Sequence, residues 1–475
     1  MNINSLYRAI LKSVSGRLSA YAVQFIFLGI YSRIFSPQEF GVFASIQVFA
    51  VFFQMLSDIG IGPAIINERK FTYAQRDGIF SFTLILGLSI AFIFYLFSFF
   101  LNYFYGDYEY QSMALIVAVS IFFNALCIVP KTSLVKDAKF ICIAKIDIIS
   151  EIFGFVFVFI ILEFFNESVL SLTSRILFIS LFKYLLTTFY SKSTELGMPK
   201  LNRDFSQIKT ISGFATYQFG FNFINYFSRN LDNILVGKFL GMGSLGIYDK
   251  SYQLMRYPLM VTTYAMTPAI QPILTKFRDN KEVIVREHNI LSKRLLLLSV
   301  LISSFLYINA EDVTWVIFGS QWGDVVPLIK VFSLMIPIQS ILSTSGSFFQ
   351  VMNKPKLLFI SGLLSALVNI LAIALGVYAG ELRYISYALV ISFTLNFFQT
   401  YFFMFKYCFQ SEVKEYYISL IRSLIVIAPS ILIYGFLFYY VPSCSNHYVS
   451  LILNIILASL CCAVFIKWIR KDLSI

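Results

Sequence analysis

Arg229 and Asp232 stand three residues apart inside an apolar run, and therefore on one face of any helix that the run forms. Arg256 lies in the middle of the next run, with Asp249 and Lys250 nearer its beginning; Arg175, Lys183 and Lys330 are further basic residues within apolar runs. Asp58 falls late in the second run, and Asp147 and Glu151 at the start of the fifth. A charge in hydrocarbon costs roughly 2.5–3.5 kcal/mol on insertion scales, so such residues face a bundle interior or a water-filled path, or snorkel to an interface. Cations outnumber acids among the deep positions, and an arginine fork pairs well with phosphate oxygens. Arg229, Arg256, Lys250, Arg175, Lys183 and Lys330 are thus candidate contacts to an anionic substrate, and Asp58, Asp232 and Asp249 candidates for carrying a coupling proton or sodium ion. The plainer alternatives are that Arg229 and Asp232 neutralise each other and that Lys183 and Lys330 snorkel or pack. For Arg17 and Lys145, near run ends, topology is the better account. Tyr217, Gln218, Asn222, Asn225, Tyr226, Ser228, Asn230 and Asn233 give the Arg229 run a polar character unsuited to lipid; interhelical packing would use the same residues.

The elements that position these residues are membrane spans. The 475 residues are 58% hydrophobic and 13% charged, about half the charge of an ordinary soluble domain, which excludes a soluble enzyme. Runs of some 20 apolar residues, each long enough to cross ~30 Å of hydrocarbon, fall near 15–35, 40–66, 79–101, 112–130, 145–164, 170–190 and 211–237. They continue near 245–273, 292–318, 325–351, 357–378, 384–405, 418–440 and 448–467. The expectation is an all-α integral membrane protein of fourteen helices. No small-residue cleavage site follows the first run, which is read as a retained span.

The net charge of +12 is scattered between the runs and forms no stripe for nucleic acid. With the N-terminus inside, the inside segments hold nearly all the loop cations, among them Arg69, Lys70, Lys136, Lys139, Lys200, Arg203, Lys281, Arg286, Lys354, Lys406 and Lys471. Outside segments hold Arg33, Lys238 and Arg383. This alternation supports both termini in the cytoplasm. Tyr103, Tyr105, Tyr108, Tyr110, Trp315, Trp322, Tyr439, Tyr440 and Trp468, near span ends, are expected to be interfacial anchors. The six cysteines lack metal-ligand spacing and read as small packing residues; no metal or other cofactor is expected.

Shifting the chain by 205 residues sets Arg33 on Lys238, Gly41 on Gly246, Phe43 on Tyr248, Met55 on Met260 and Pro63-Ala64-Ile65 on Pro268-Ala269-Ile270. The first two spans then recur as the seventh and eighth, in the same orientation. Two six-helix lobes, 1–205 and 206–410, related by a pseudo-two-fold axis along the membrane normal, follow from this parallel repeat, with 411–475 as two additional C-terminal helices. Two related lobes around a central cavity suit a transporter.

The stretches Tyr31-Ser32-Arg33-Ile34-Phe35-Ser36-Pro37-Gln38-Glu39-Phe40-Gly41 and Asp58-Ile59-Gly60-Ile61-Gly62-Pro63 carry a resemblance, as do Arg229-Asn230-Leu231-Asp232-Asn233, Leu245-Gly246-Ile247-Tyr248-Asp249-Lys250 and Lys136-Asp137-Ala138-Lys139-Phe140. Over essentially its whole length the chain resembles the polysaccharide-exporting branch of the multidrug/oligosaccharidyl-lipid/polysaccharide superfamily, which includes Wzx-type O-antigen flippases. The resemblance implies alternating access through a cationic cavity and movement of undecaprenyl-diphosphate-linked oligosaccharide from the inner to the outer leaflet of a bacterial cytoplasmic membrane. It carries over directly only Arg229, Asp232, Lys250 and, through the paired hairpin, Asp58. Polymerase and chain-length proteins of the same pathway are the expected partners, besides the lipid-linked substrate and the membrane. Two rivals stand beside it. A MATE-like exporter of small molecules would favour exposed carboxylates over deep cations. A membrane polymerase or glycosyltransferase would use Asp107-Tyr108-Glu109 as paired acids, but the outer loops are too short for an acceptor site.

Overall fold

The computed structural model describes residues 3–58, 61–67, 72–205, 223, 226–260, 263, 270, 274–440 and 446–473. Ile59, Gly60, Arg69, Lys70, Tyr217, Gln218, Asn222, Asn225, Pro268 and Ala269, named above, lie outside them. The chain forms two compact units, Met1–Gly246 and Ile247–Ile475. All regular structure among the described residues is helical. Among the described residues, ten helices are long and apolar enough to cross a membrane, and an eleventh if one bent pair is a single span.

The first unit contains α1 (Ile3–Ile34), α2 (Pro37–Asp58), α3 (Ile61–Asn67), α4 (Tyr73–Tyr105), α5 (Tyr110–Lys136), α6 (Phe140–Phe165) and α7 (Ser168–Ser191). Residues 226–240 form α8. Ser36-Pro37-Gln38-Glu39 starts α2 as a capping box: the Ser36 N–H donates to Glu39 Oε2 at 2.6 Å, and the Glu39 N–H to Ser36 Oγ at 3.3 Å. Pro37 occupies the first turn, where no N–H is needed. Thr72 and Gln75 cap α4 in the same way. Two stacked ring pairs one turn apart, Phe153 on Phe182 at 3.8 Å and Phe157 on Phe178 at 3.7 Å, fix the register of the α6/α7 hairpin. Gly154 lets the two helices approach, since a Cβ there would lie 2.6 Å from Ile179 Cγ1.

A strap after α7 binds back onto this unit. Arg76, buried at the start of α4, donates to the Leu196 carbonyl and holds Asp77 by a 2.7 Å hydrogen bond. Asp77 accepts the Lys200 N–H at 2.8 Å, and Ser81 Oγ the Asn202 N–H at 2.8 Å. Farther back, Asp137 accepts the Glu195 N–H at 3.0 Å, and Lys139 donates to Ser193 Oγ at 2.9 Å. The Lys136–Phe140 stretch is therefore a clasp, turned by Ala138 at φ +53°.

The first unit ends in the opening turn of α9 (Met242–Leu259). In the second, α10 (Lys281–Ile308), α11 (Ala310–Ile317), α12 (Val325–Ser333) and α13 (Met335–Val351) precede α14 (Pro355–Tyr378) and α15 (Leu382–Phe403). A π-helical turn, Met404–Phe409, extends α15, and α16 (Val413–Tyr440) and α17 (His447–Leu473) complete the unit. Its core surrounds His288, fully buried among the rings of Phe348, Tyr401, Phe405, Phe409 and Tyr416, with its Nδ1 3.0 Å from Asn289 Oδ1.

Three expectations need correction. The 325–351 run is a pair of helices bent by 52°. Pro337 removes the N–H that would bond the Ser333 carbonyl and its ring clashes with that carbonyl; Ser303 Oγ donates to the freed oxygen at 2.7 Å. The 292–318 run begins eleven residues early, at Lys281, because Asn280 caps there and donors need not be apolar to be helical. It ends at Asn309, whose buried amide donates to Phe305 O and Tyr434 Oη. Finally, Tyr110 and Trp322 are not interfacial anchors, since both are fully buried. Tyr110 meets Ser45 Oγ at 2.5 Å, and Trp322 packs on Phe318.

Candidate functional site

The first unit pairs charges of two helices, α6 and α7, and adds polar contacts from α1. Asp147 and Glu151 lie one turn apart on α6, and so on one face. Across the hairpin, Glu151 Oε2 accepts from Arg175 Nη2 of α7 at 2.8 Å, and Asp147 pairs with Lys183 Nζ at 2.9 Å. From α1, Gln24 Nε2 donates to Glu151 Oε1 at 2.7 Å, and the Tyr31 ring lies 5.6 Å from the Arg175 guanidinium. Each Glu151 oxygen thus has a donor. Glu151 is 5% exposed and Arg175 22%, whereas Lys183 and Asp147 are 27% and 30% exposed, so the two pairs form a ladder with a buried rung and an open one.

Asp232 of α8 is buried and accepts the Asn233 N–H at 2.9 Å. Arg229, one turn before it, is exposed, and no ion pair joins the two. α8 leans on its own unit: Tyr226 donates to the Val48 carbonyl, Phe52 packs on Phe227 at 4.9 Å, and Lys238 donates to the Phe104 carbonyl. Asp58, exposed at the end of α2, approaches the first turn of α3; a Cβ on Gly62 would lie 3.8 Å from its Oδ1.

In the second unit, Lys250 is buried and donates to Gln253 Oε1 at 3.2 Å. The Arg256 guanidinium lies over the Tyr252 ring at 4.6 Å, and Tyr252 packs on Phe332 at 5.4 Å. Asp249 is half-buried and Lys330, on α12, exposed.

The structure therefore brings together Arg175 with Glu151 and Lys183 with Asp147, and leaves Arg229 apart from Asp232. Sequence reading named both acids without partners. Their spacing of four, and that of eight between Arg175 and Lys183 on the following helix, was the signal that could have joined them. Nothing pointed to Gln24 or Tyr31, which lie more than a hundred residues away in sequence.

Residues 30–327 match the family described as polysaccharide biosynthesis protein. The chain belongs to that family. It is 24% identical over 349 residues, 73% of this chain and 71% of the other, to the teichuronic acid biosynthesis protein TuaB of Bacillus subtilis (strain 168). To the lipopolysaccharide biosynthesis protein WzxC of Escherichia coli (strain K12) it is 20% identical over 422 residues, 86% and 84% of the two chains. Among solved structures, the lipid II flippase MurJ in an inward closed conformation superposes with a TM-score of 0.79 at 15% identity, covering 98% of this chain and all of that one. An inward-facing MATE family transporter of the MOP superfamily gives 0.64 at 12% identity, over 83% and 98%. This member of the polysaccharide biosynthesis family thus shares the fold of these two solved structures.

Proposed function

We propose that this protein is a flippase that moves undecaprenyl-diphosphate-linked oligosaccharide from the cytoplasmic to the outer leaflet for surface polysaccharide assembly, by alternating access through a cationic cavity. The carrying observation is that basic side chains are held by helices of both compact units: Arg175 and Lys183 within the apolar α7, and the buried Lys250 with Arg256 on the more polar α9. Apolar helices keep such cations only where something polar meets them, and a diphosphate bridging lipid and sugar is the anion that this substrate class offers. Arg229, Asp232 and Asp58 join this proposed path, with Asp58, Asp232 and Asp249 as the coupling carboxylates; Lys330 is a further candidate contact.

The proposed architecture has fourteen spans, lobes at 1–205 and 206–410, a C-terminal pair at 411–475, and both ends in the cytoplasm. A reciprocal contact supports the repeat. A Cβ on Gly41 would lie 1.7 Å from the Met242 carbonyl oxygen, and one on Gly246 1.9 Å from that of Pro37. The offset of 205 exchanges these two contacts, as a two-fold relation requires.

The test is the lipid-linked glycan of a deletion strain, located by a membrane-impermeant probe in spheroplasts. Complete units held on the cytoplasmic leaflet are expected. Units exposed normally but left unpolymerised would overturn the flippase reading in favour of a polymerase. Flipping at full rate in vesicles without a proton or sodium gradient would remove the coupling role from the carboxylates.

A further inference from the structure

An open pocket of 660 Å³ lies in the second unit, between the first three turns of α10 and the turn that joins α15 to α16. Glu282, Arg286, Asn289 and Lys293 recur at steps of four, three and four, so they share one face of α10, and all four line the pocket. The opposite wall is set by the π-helical turn Met404–Phe409, which ends at Gln410 in the left-handed region at φ +57°. This wide turn brings Gln410 to Lys281, whose Nζ donates to Gln410 Oε1 at 2.6 Å. π-turns of this kind often mark functional positions in helices.

Three cations line the pocket, Lys281, Arg286 and Lys293, against the single acid Glu282. Neither lysine is ion-paired among the described residues, and Arg286 makes only an exposed 3.5 Å contact with Glu287. Lys293 is half-buried. Phe409 supplies an apolar floor and Ser411 a hydroxyl donor, while Ser419 on the far wall donates to the Tyr416 carbonyl at 2.7 Å. Net positive charge, neutral donors and an apolar floor in one concavity match a phosphate ester better than a carboxylate or a metal.

We propose that this pocket is a binding site for a phosphate-bearing anion, walled by α10 on one side and by the turn into α16 on the other. The shared chemistry is a phosphate held by Arg286 and Lys293 with Lys281 at the rim. Basic pockets between membrane helices take the head groups of anionic lipids in this way, and a free phosphate would use the same donors.

The experiment uses the purified full-length protein in phosphatidylcholine nanodiscs, with either phosphatidylglycerol or inorganic phosphate as probe, reading retained lipid by native mass spectrometry and melting temperature for both. Arg286→Ala and Lys293→Ala are each expected to weaken binding roughly fivefold, while Lys192→Ala with Lys200→Ala, two exposed cations of the other unit, leaves it unchanged. A response to phosphatidylglycerol alone assigns the site to a lipid head group; a response to inorganic phosphate assigns it to a free anion. If the cation variants fold poorly, Glu282→Gln keeps every cation and removes the one opposing charge, and it is expected to tighten binding by a similar factor. Equal binding by wild type, the pocket variants and E282Q, or equal losses in the Lys192/Lys200 variant, overturns the proposal.

Discussion

Gly41 and Gly246 occupy equivalent places in one contact, each lying where a methyl group would strike the backbone of the other helix's first turn. α2 and the start of α9 meet there with no side chain between them. Close approach of this kind is how membrane helices gain packing energy where lipid supplies no hydrophobic drive.

Gly41→Ala and Gly246→Ala should therefore destabilise alike, each by about 1–3 kcal/mol, the usual range for overpacking. Gly243→Ala, one turn away with nothing within 4 Å of an added Cβ, should be nearly neutral. Thermal melting in detergent checks the contrast. G41A melting with G243A would show that the helices part at no cost.

The Glu151–Arg175 rung should show a coupling of about 1–2 kcal/mol in a double-mutant cycle with Glu151→Gln and Arg175→Met, because partners left alone in a span lose more than the pair removed together. The open Asp147–Lys183 rung, more exposed on both sides, should couple by about 0.5 kcal/mol or less. Equal coupling in the two rungs would contradict the burial gradient.

Ser303→Ala should cost about 1–3 kcal/mol, since it strips the Ser303 hydroxyl from the Ser333 carbonyl. In a Pro337→Ala background that cost should fall, because the restored N–H of residue 337 can donate to the same oxygen. Non-additive melting shifts are the readout, and strictly additive ones would mean that Pro337 does not cause the bend.

Gly78→Ala should loosen the strap, as its Cβ would lie 1.6 Å from the Asp204 carbonyl oxygen. Arg76→Ala should do so by releasing Leu196 and Asp77. Trypsin cuts after Lys200 and Arg203 should appear several-fold faster in both variants when the strap side is accessible. Unchanged digestion would remove the strap's dependence on these anchors.

Arg229→Ala and Arg256→Ala should abolish surface-glycan export while protein levels stay near normal. Complementation of a deletion strain, scored for glycan and for protein together, makes the measurement. Full export by both variants would sink the cationic path.

The sequence made the class of the fold legible because hydrocarbon imposes a length and a composition on every span, and the recurrence of Gly41 as Gly246 was visible for the same reason that glycine is costly elsewhere in a helix. What stayed hidden was set by distance and by ends. Gln24 and Glu151 meet across 127 positions, and only packing of α1 on α6 joins them. Helix ends escaped as well: hydropathy marks the part of α10 that lies in lipid, whereas Asn280 decides where it starts. Pro337 was plainly readable, but whether it bends a helix or ends one depends on a donor such as Ser303 being at hand.

The side chains described above as gripping the strap all precede it in the chain. Arg76, Asp77, Ser81, Asp137 and Lys139 have all left the ribosome before Ser193, Glu195, Leu196, Lys200 and Asn202 arrive. The seam of the first seven helices can thus be stitched during synthesis, with no help from the half of the polypeptide still to be made. Translation order alone would then guard an early helical assembly against mispairing with later spans.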